Sequence, residues 1–415
     1  MPGGPYYDLT AANAALKELY AGQEVKNLVY KTNPFMALVP KDTEFEGEYK
    51  PIPVIIGASQ GRSSTFANAQ SNQSPVQAYK FLLARRSDYS IATLDNQTMM
   101  ASRSDKGSFI RATKTVVDGA FRSITLSLAS SLYRSGTGSI GQIGSISGGV
   151  ITLSDPNTVV QFELNMVLQA NATDGGTSPR AALGYVVGPI DRVAGTVGVS
   201  TTFGGALASP SGWTTNDYVL VQGDLNAKPQ GLLSWLPAAN PGASDNFFGV
   251  NRSVDPTRLG GVRYTNGANQ PVEEALVDAS NLVAREGGVP DYAFVSFASY
   301  SALEKALGAK VQYAELEAQI AEDVNIGFRG IRIHGANGPI DVIPDRNCPG
   351  FIGFLLQLDT WCLESLGEAP MLLRYLDSNE FLRVYNQDAA ECRVGFYGNL
   401  RTDAPGWSAY VALQN

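Results

Sequence analysis

The stretch SFIRATKTVVDGAFRSITLSLASSLYR, residues 108–134, decides the fold. Its core-forming residues return every three or four positions, which is the spacing of one face of an α-helix. That face carries Phe109, Thr113, Val116, Val117, Ala120, Phe121, Ile124, Leu128 and Leu132. A helix of this length would extend for roughly 40 Å at ~1.5 Å per residue, well above the mean for globular proteins. We expect it to be the spine of the fold and to end at SGTGSIG.

Two runs rich in β-forming residues precede this helix, at residues 41–56 and 76–91. Tyr, Phe, Ile and Val alternate with charged residues in both runs, which predicts two strands of one long hairpin. Between them lies GASQGRSSTFANAQSNQSP, a stretch of about twenty residues with almost no apolar content. Such a stretch is long for a loop inside a compact domain, so we expect a protruding arm that depends on a partner.

The first forty residues contain a short predicted helix behind a Pro/Gly-rich tail. Thr10 can cap the helix AANAALKELYAG, and Gly22 suits the left-handed position that ends a helix. An isolated helix of this size needs a surface to pack on.

The chain changes character after the spine helix. Charge nearly disappears over residues 137–225, and short apolar runs recur between turns, which predicts a separate β-rich insertion. PVEEALVDASNLVAREGG then predicts an amphipathic helix, followed by the strand YAFVSF and the helix ASYSALEKALG, an order typical of an α/β lobe. Beyond Phe328 the pattern returns to strands, with GIRIHGANGPIDVI as a hairpin.

Composition limits the possible functions. The chain has 415 residues, 44% of them hydrophobic and 17% charged, so it should fold into several compact regions. A formal charge of −8 gives no electrostatic reason to bind nucleic acid. The N-terminus lacks the features of a signal peptide, and no apolar run approaches the ~20 residues of a membrane span, so we expect a cytoplasmic chain. Cys348, Cys362 and Cys392 are odd in number and widely spaced, which predicts reduced, buried thiols.

Candidate catalytic residues are few. The single histidine, His334, lies in a predicted strand, where a structural role is the simpler interpretation. Gly57-Ala58-Ser59-Gln60-Gly61 matches the G-x-S-x-G nucleophile elbow, but the polar stretch that follows favours a loop. Motifs for phosphate, dinucleotide, zinc-protease or calcium binding are missing. AELEAQIAEDV is interpreted as a helix whose face of glutamates is solvated or forms salt bridges with a neighbouring subunit, and a cation site on these carboxylates is the alternative.

The order of these elements resembles the major capsid proteins of tailed bacteriophages, which share the Hong Kong phage-type capsid fold. Specific stretches are similar to one group of these coat proteins: STFANAQ, FLLARRSDYSIATLDNQTMMAS, SLYRSGTGSIGQI, GDLNAKPQGLLSWLP and RVGFYGNLRTDAPGW. The resemblance implies an α+β fold with an inserted β-rich domain. Its expected regions are an N-terminal arm (1–40), an extended loop (41–91), the spine helix of a peripheral domain (92–136), the inserted domain (137–225), an axial α/β domain with peripheral-domain segments (226–380) and returning peripheral-domain strands (381–415).

The resemblance also implies a function in assembly and no catalysis. The chain would form hexamers and pentamers of an icosahedral virion shell in the bacterial host cytoplasm, and the shell would enclose DNA without sequence-specific binding. A separate scaffolding protein and a portal are expected partners, a decoration protein is a further candidate, and no cofactor, metal or membrane is expected. Lys50 and Lys80 lie in the loop strands, but the covalent crosslinking known in some members of this fold is not carried over to them.

Two sets of residues are predicted to serve assembly. The candidate intersubunit contacts are Phe45, Tyr49, Ile52, Val54, Tyr79, Phe81 and Leu83, whose apolar side chains on an arm need cover from neighbours. The candidate hinges are Gly57, Gly61 and Gly107, because glycine tolerates backbone changes. Two other classes stay open: another β-rich structural protein, such as a phage tail or decoration protein or a surface adhesin, and a serine hydrolase that uses Ser59 and His334.

Overall fold

The computed structural model describes residues 29–96, 106–308, 313–321, 324–374 and 381–414, and leaves aside the side chains of 106–113, 267–268, 313–321 and 324–329. The predicted helix that follows Thr10 lies outside the described residues. The α-helices are α1 (Pro34–Leu38), α2 (Phe66–Ser71), α3 (Lys106–Ser131), α4 (Leu232–Trp235), α5 (Val272–Arg285) and α6 (Phe297–Leu307).

The strands run through the whole described chain. They are β1 (Lys41–Asp42), β2 (Tyr49–Gly57), β3 (Gln77–Ala84), β4 (Arg86–Asp95), β5 (Ser139–Ser147), β6 (Val150–Leu153), β7 (Val167–Asn171), β8 (Leu183–Asp191), β9 (Thr196–Ser200), β10 (Tyr218–Val221), β11 (Val262–Tyr264), β12 (Tyr292–Val295), β13 (Tyr313–Ala321), β14 (Val324–Gly335), β15 (Gly338–Pro344), β16 (Ile352–Leu356), β17 (Trp361–Ser365), β18 (Met371–Leu372), β19 (Phe381–Arg383), β20 (Ala389–Thr402) and β21 (Ala409–Ala412).

The spine helix α3 packs on a sheet built around the long strand β20. Strand β4 pairs with one edge of β20 from Arg86 to Asp95, and β17, β18 and β19 share the other edge. The predicted buried face of the helix is confirmed at Val117, Ala120, Phe121, Ile124, Leu128 and Leu132. The side chains of Phe109 and Thr113 lie outside the description.

A second sheet forms the α/β lobe. Its strand order is β11-β21-β16-β12-β15-β14-β13, and β12 pairs in parallel with β15. Helix α5 is covered along its apolar side, where Ala275, Leu276, Ala279 and Val283 are fully buried among residues of this sheet. The predicted order of helix, strand and helix is confirmed here.

Residues 139–221 form a closed β-barrel in the order β10-β5-β6-β9-β8-β7. Its own apolar core includes Ile143, Leu168, Val186, Val197 and Val199, all fully buried. The barrel begins and ends at one point, because Ser139 and Leu220 are ladder partners.

The barrel is also fixed to the rest of the chain. The backbone N–H of Gly350 donates to Asp155 at 2.7 Å, and Gln161 Nε2 donates to Asn347 Oδ1 at 3.2 Å. A Cβ at position 350 would lie 2.7 Å from Asp155 Oδ1, so a larger residue there would force the Asp155 side chain to shift.

The extended hairpin is shorter than the sequence predicts. Strands β2 and β3 pair from Tyr49 with Ala84 to Gly57 with Gln77. The second predicted run then divides, since β4 leaves the hairpin after Arg85 and joins β20 in the spine sheet. The ten-residue edge of β20 takes up hydrogen bonds that a longer hairpin would have used.

The acidic segment AELEAQIA is a strand and not a helix, which corrects the sequence interpretation. It forms β13 and pairs with β14 from Tyr313 with Ile331 to Ala321 with Val324. Its letters alternate apolar and polar residues with a period of two, and this pattern outweighs the helix propensity of Ala, Glu and Leu.

Candidate functional site

The hairpin has two unlike faces, because side chains alternate along β2 and β3. On the inner face Ile52, Val54, Ile56, Phe81 and Leu83 are buried. Their cover comes from a distant part of the same chain.

The inner face of the hairpin packs against an aromatic cluster. Phe81 meets the indole of Trp235 edge-on at 5.1 Å and the ring of Phe247 at 6.2 Å, and these two rings pack at 4.9 Å. The N–H of Leu82 donates to the carbonyl of Phe248 at 2.9 Å, so the outer edge of β3 is also engaged. The hairpin therefore lies on its own subunit along its base.

This arrangement changes the predicted set of intersubunit contacts. Five of the seven candidates, Phe45, Ile52, Val54, Phe81 and Leu83, are covered by their own chain. Tyr79 is partly buried against the same core, while Tyr49 is half exposed. The alternation of apolar and polar residues identified the apolar face of the strands correctly. That face is already covered by its own chain, so it has no free surface for a second chain.

The outer face and the tip of the hairpin remain uncovered. Apolar side chains are exposed at Tyr49, Ile55, Phe66, Val76 and Leu82, and Phe66 is 83% exposed. Helix α2, at the tip, buries no residue. We call these five residues the outer apolar set.

The free edge of β2 is closed to strand addition by two prolines. Pro51 faces Leu82 and Pro53 faces Lys80 across the ladder. The N–H of Leu82 points away from β2, so its ladder partner Pro51 also directs its backbone nitrogen outward, to the free edge of β2. Pro53 lies two residues further along and has the same orientation. Proline has no N–H there, and a neighbouring chain must contact this edge mainly through side chains.

A buried ion cluster ties the base of the hairpin to the spine sheet. Glu364 is fully buried, and its carboxylate pairs with Lys50 Nζ at 2.5 Å and with Arg401. Lys50 also reaches Asp42 at 2.7 Å. Burial alone would lower the pKa of Lys50, but hydrogen bonds to Asp42 and Glu364 outweigh it and raise that pKa. The ion cluster at the hairpin base therefore stabilises the charged form of Lys50.

The predicted hinges occupy ordinary backbone. A Cβ on Gly57 or Gly61 would meet its nearest neighbour at 3.5 Å or 3.3 Å, and neither residue has a left-handed φ. Gly107 is the second residue of α3. The geometry at Gly57 and Gly61 does not require glycine, and their role as hinges stays a prediction.

Features that would support catalysis are weak in the described residues. Ser59 and His334 are both exposed. The helix that follows Ser59 is the six-residue α2, and a nucleophile elbow instead leads into a buried helix. No group of three metal-ligating side chains is found in the described part of the chain. No helix there is long and apolar enough to cross a membrane.

The cysteines are free and buried, as the sequence predicts. Burial raises the pKa of the Cys362 thiol to about 11, so this thiol stays protonated at neutral pH.

Sequence reasoning missed the polar junction around Asp345, which is 1% exposed. Its carboxylate accepts from Tyr133 Oη at 3.0 Å, from the Asn347 N–H at 2.9 Å and from the Phe35 N–H at 3.3 Å. Burial raises the pKa of Asp345, against these hydrogen bonds. The junction joins α1, the turn that follows the spine helix and the turn that follows β15. No local sequence pattern predicts it, because Phe35 and Tyr133 lie 310 and 212 residues from Asp345 along the chain.

The fold is similar to that of solved structures. The cyanophage A-1(L) capsid asymmetric unit matches 96% of this chain and 98% of its own, with a TM-score of 0.51 and 12% identity.

The chain has the Hong Kong phage-type capsid fold.

Two further structures match with TM-scores under 0.5. The capsid of a native GTA particle matches at 0.44 with 10% identity, covering 91% of this chain and 89% of its own. A virus-like particle from Pyrococcus furiosus matches at 0.39 with 8% identity, covering 97% of each chain. No protein-family model matches the chain, and no curated protein matches it significantly. The likeness to the cyanophage structure, at 12% identity, identifies the fold alone, and function must be argued from the surfaces of this chain.

Proposed function

We propose that this chain is a major capsid protein that assembles with copies of itself into the icosahedral shell around phage DNA. The observation that carries the proposal is the hairpin, on a chain with the capsid fold. Its inner face anchors on its own subunit, while its outer face and tip leave apolar side chains without cover. Such a surface is a hazard for a monomer and is suited to contacts that repeat between subunits.

The proposed contacts between subunits use the outer apolar set. Tyr49, Ile55 and Leu82 lie on the strands, and Phe66 and Val76 lie at the tip and its return. Because the two prolines close the edge of β2, we expect these contacts to be made by side chains. Heterologous contacts of this kind close into rings of different order, which hexamers and pentamers require.

The barrel is proposed to be an inserted domain within residues 137–225. Its two ends meet at the pair of Ser139 and Leu220, so the chain could pass this point through a short connection. The remaining regions are proposed with their predicted limits, except that the hairpin proper comprises residues 49–84.

The proposed partners and place follow from this role. A separate scaffolding protein and a portal would act during assembly of the shell in the host cytoplasm, and a decoration protein is a further candidate partner on the virion. We propose no catalysis, no cofactor and no sequence-specific contact with DNA. A serine hydrolase would require Ser59 to react with a fluorophosphonate probe, and we expect no labelling.

Negative-stain microscopy and sedimentation of the expressed chain test the function, with and without its neighbouring genes. Uniform shells or rings of subunits are the expected result. A monomer in both samples would instead favour an adhesin or another β-rich structural protein.

A further inference from the structure

Strand β4 has one edge that is paired and one that is not. Its even-numbered residues face β20, because the N–H of Asn96 donates to the carbonyl of Asp388 at 2.9 Å and the ladder continues from there in one register. The odd-numbered residues therefore direct their backbone N–H and C=O groups outward. In the described part of the chain no strand pairs with this outward side. We call it the free edge of β4, formed by Ser87, Tyr89, Ile91 and Thr93.

The free edge of β4 lacks the protection that the edge of β2 has. β2 carries Pro51 and Pro53 at outward positions, whereas β4 has no proline, lysine or glycine among its ten residues. The apolar side chains of Tyr89 and Ile91 on this edge are both more than half exposed. The N–H of Tyr89 has a local acceptor in the Asp88 carboxylate at 3.0 Å, a bond that an added strand must replace. A long, unprotected edge of this kind is a template for strand addition.

There is open space beside part of this edge. At Asp88 and Tyr89 it borders a crevice of about 650 Å³ between the spine helix and the barrel. The helix wall of the crevice carries small residues, and a Cβ on Gly119 would meet nothing within 4 Å. Neighbouring strands of a sheet lie only ~4.8 Å apart, so the backbone of a further strand needs little more room than this.

The side chains on the outward positions are complementary to themselves when the strand direction is reversed. In chain order they are a cation, a hydroxyl, an aromatic ring, an aliphatic group, a hydroxyl and an anion: Arg85, Ser87, Tyr89, Ile91, Thr93 and Asp95. An antiparallel second copy, related by a two-fold axis at Ser90, places Tyr89 opposite Ile91. The same register places the two hydroxyls opposite each other and the exposed Arg85 opposite the exposed Asp95. Pairs of these three kinds stabilise antiparallel sheets.

We propose that β4 pairs with β4 of a second copy of this chain, across a two-fold axis at Ser90, so that two spine sheets form one continuous sheet. Each odd-numbered residue then exchanges two N–H···O bonds with its opposite residue. A second copy is the occupant because one strand supplies both complementary halves, as an isologous contact requires. The contact uses the spine sheet and not the outer apolar set, so it does not rest on the proposed function.

Two single-cysteine variants of the full-length chain test this pairing. At the axis the two Ser90 residues form a pair without hydrogen bonds, with Cα atoms ~4.5 Å apart, a distance that a disulfide can bridge. We expect oxidation of Ser90→Cys to give a covalent dimer, in solution or in any shells. Ser87→Cys is the matched control, because Ser87 is exposed where Ser90 is partly buried, yet would lie ~20 Å from its own copy.

The yield of dimer on a denaturing gel decides between the outcomes. We expect at least about tenfold more dimer from Ser90→Cys than from Ser87→Cys, and the native thiols are buried. Equal yields, or no dimer from Ser90→Cys, would overturn the proposal. Shells without this dimer would contradict the pairing alone, whereas the dimer without shells would support the pairing and contradict the proposed function.

Charge reversal in the Ser90→Cys variant tests the register independently. Asp95→Arg would place arginines opposite each other at both ends of the paired strands, and we expect about threefold less dimer. Adding Arg85→Asp restores opposite charges and should restore the yield. Both positions are exposed, so circular dichroism should show an unchanged fold. A yield that neither change alters would contradict the proposed register.

Discussion

The barrel and the hairpin are both antiparallel β-structures of this chain, yet they obtain their apolar cores in opposite ways. The barrel closes on itself, so each of its strands has two neighbours and its core is its own. The hairpin has two strands, and it borrows its core from Trp235 and Phe247. A closed barrel is complete in water, whereas an isolated two-stranded hairpin is marginal and needs cover from outside its own strands. The proposed function therefore assigns the contacts with a second chain to the hairpin and not to the barrel.

Removal of the tip should have the largest effect. We expect a deletion of residues 57–74 to leave a folded subunit, because α2 buries nothing, and to abolish shells. Sedimentation and circular dichroism of the same sample measure both properties. A matched replacement of barrel residues 140–219 by a short Gly/Ser linker should retain assembly, since Ser139 and Leu220 already adjoin. Normal shells from the tip deletion would contradict the role of the hairpin.

The two regions should also differ when they are produced alone. A fragment of residues 137–225 should melt cooperatively, because it contains a closed sheet and its own core. A peptide of residues 49–84 should show no cooperative transition by circular dichroism, because its inner face has lost its cover. A stable isolated hairpin would remove the contrast on which the comparison depends.

Substitutions at two adjacent leucines of β3 should affect stability and assembly separately. Leu83 is fully buried and Leu82 is exposed. Leu83→Ala should lower the free energy of unfolding by about 2–4 kcal/mol, through lost burial and a cavity. Leu82→Ala should change it by less than ~0.5 kcal/mol but reduce the yield of shells. Urea unfolding and sedimentation measure the two effects, and equal destabilisation by both variants would refute the assignment of the two faces.

The ion cluster at the hairpin base sharpens the comparison further. Glu364→Gln would leave Lys50 and Arg401 facing a neutral amide in a largely buried site. We expect a loss of roughly 2–3 kcal/mol, below the usual figure for a buried pair because both cations are partly exposed. Glu163→Gln, which breaks an exposed pair with Arg192 at 3.4 Å, is the control and should cost under ~0.5 kcal/mol. Similar unfolding midpoints for the two variants would contradict this account.

The smallest expected effect concerns pH. Burial lowers the pKa of Lys41 from 10.5 to about 8. The unfolded chain therefore binds more protons than the folded one between these values, and the contribution of Lys41 to stability rises with pH from about 8 upward. The raised pKa of Cys362 acts in the opposite sense above its ordinary value of 9.0, so the rise should be visible between pH 8 and 9. Lys41→Met should flatten this slope in urea unfolding, and an unchanged slope would exclude Lys41 as its source.

The sequence was sufficient for elements with a strong period. The spine helix and the α/β lobe follow from spacing alone, and the structure confirms them. The predicted hairpin is confirmed only between Tyr49 and Ala84, because the second run divides between the hairpin and the spine sheet. The spacing of apolar residues does not show which residues will cover them in the folded chain. Phe81 packs on Trp235 and Phe247, more than 150 residues away, so its strand looked like an uncovered arm. The junction at Asp345 was missed for the same reason, since its partners include Phe35 and Tyr133.

The central claim is that this chain with the capsid fold assembles through the outer apolar set of its hairpin. Sedimentation velocity with negative-stain microscopy of the full-length chain, beside a Phe66→Asp variant, tests it most directly. The account predicts shells or rings for the unmodified chain and free, folded subunits for the variant, because Phe66 is exposed and contributes nothing to the core. Shells of normal size and yield from the variant, or a monomer from the unmodified chain with its neighbouring genes present, would contradict it.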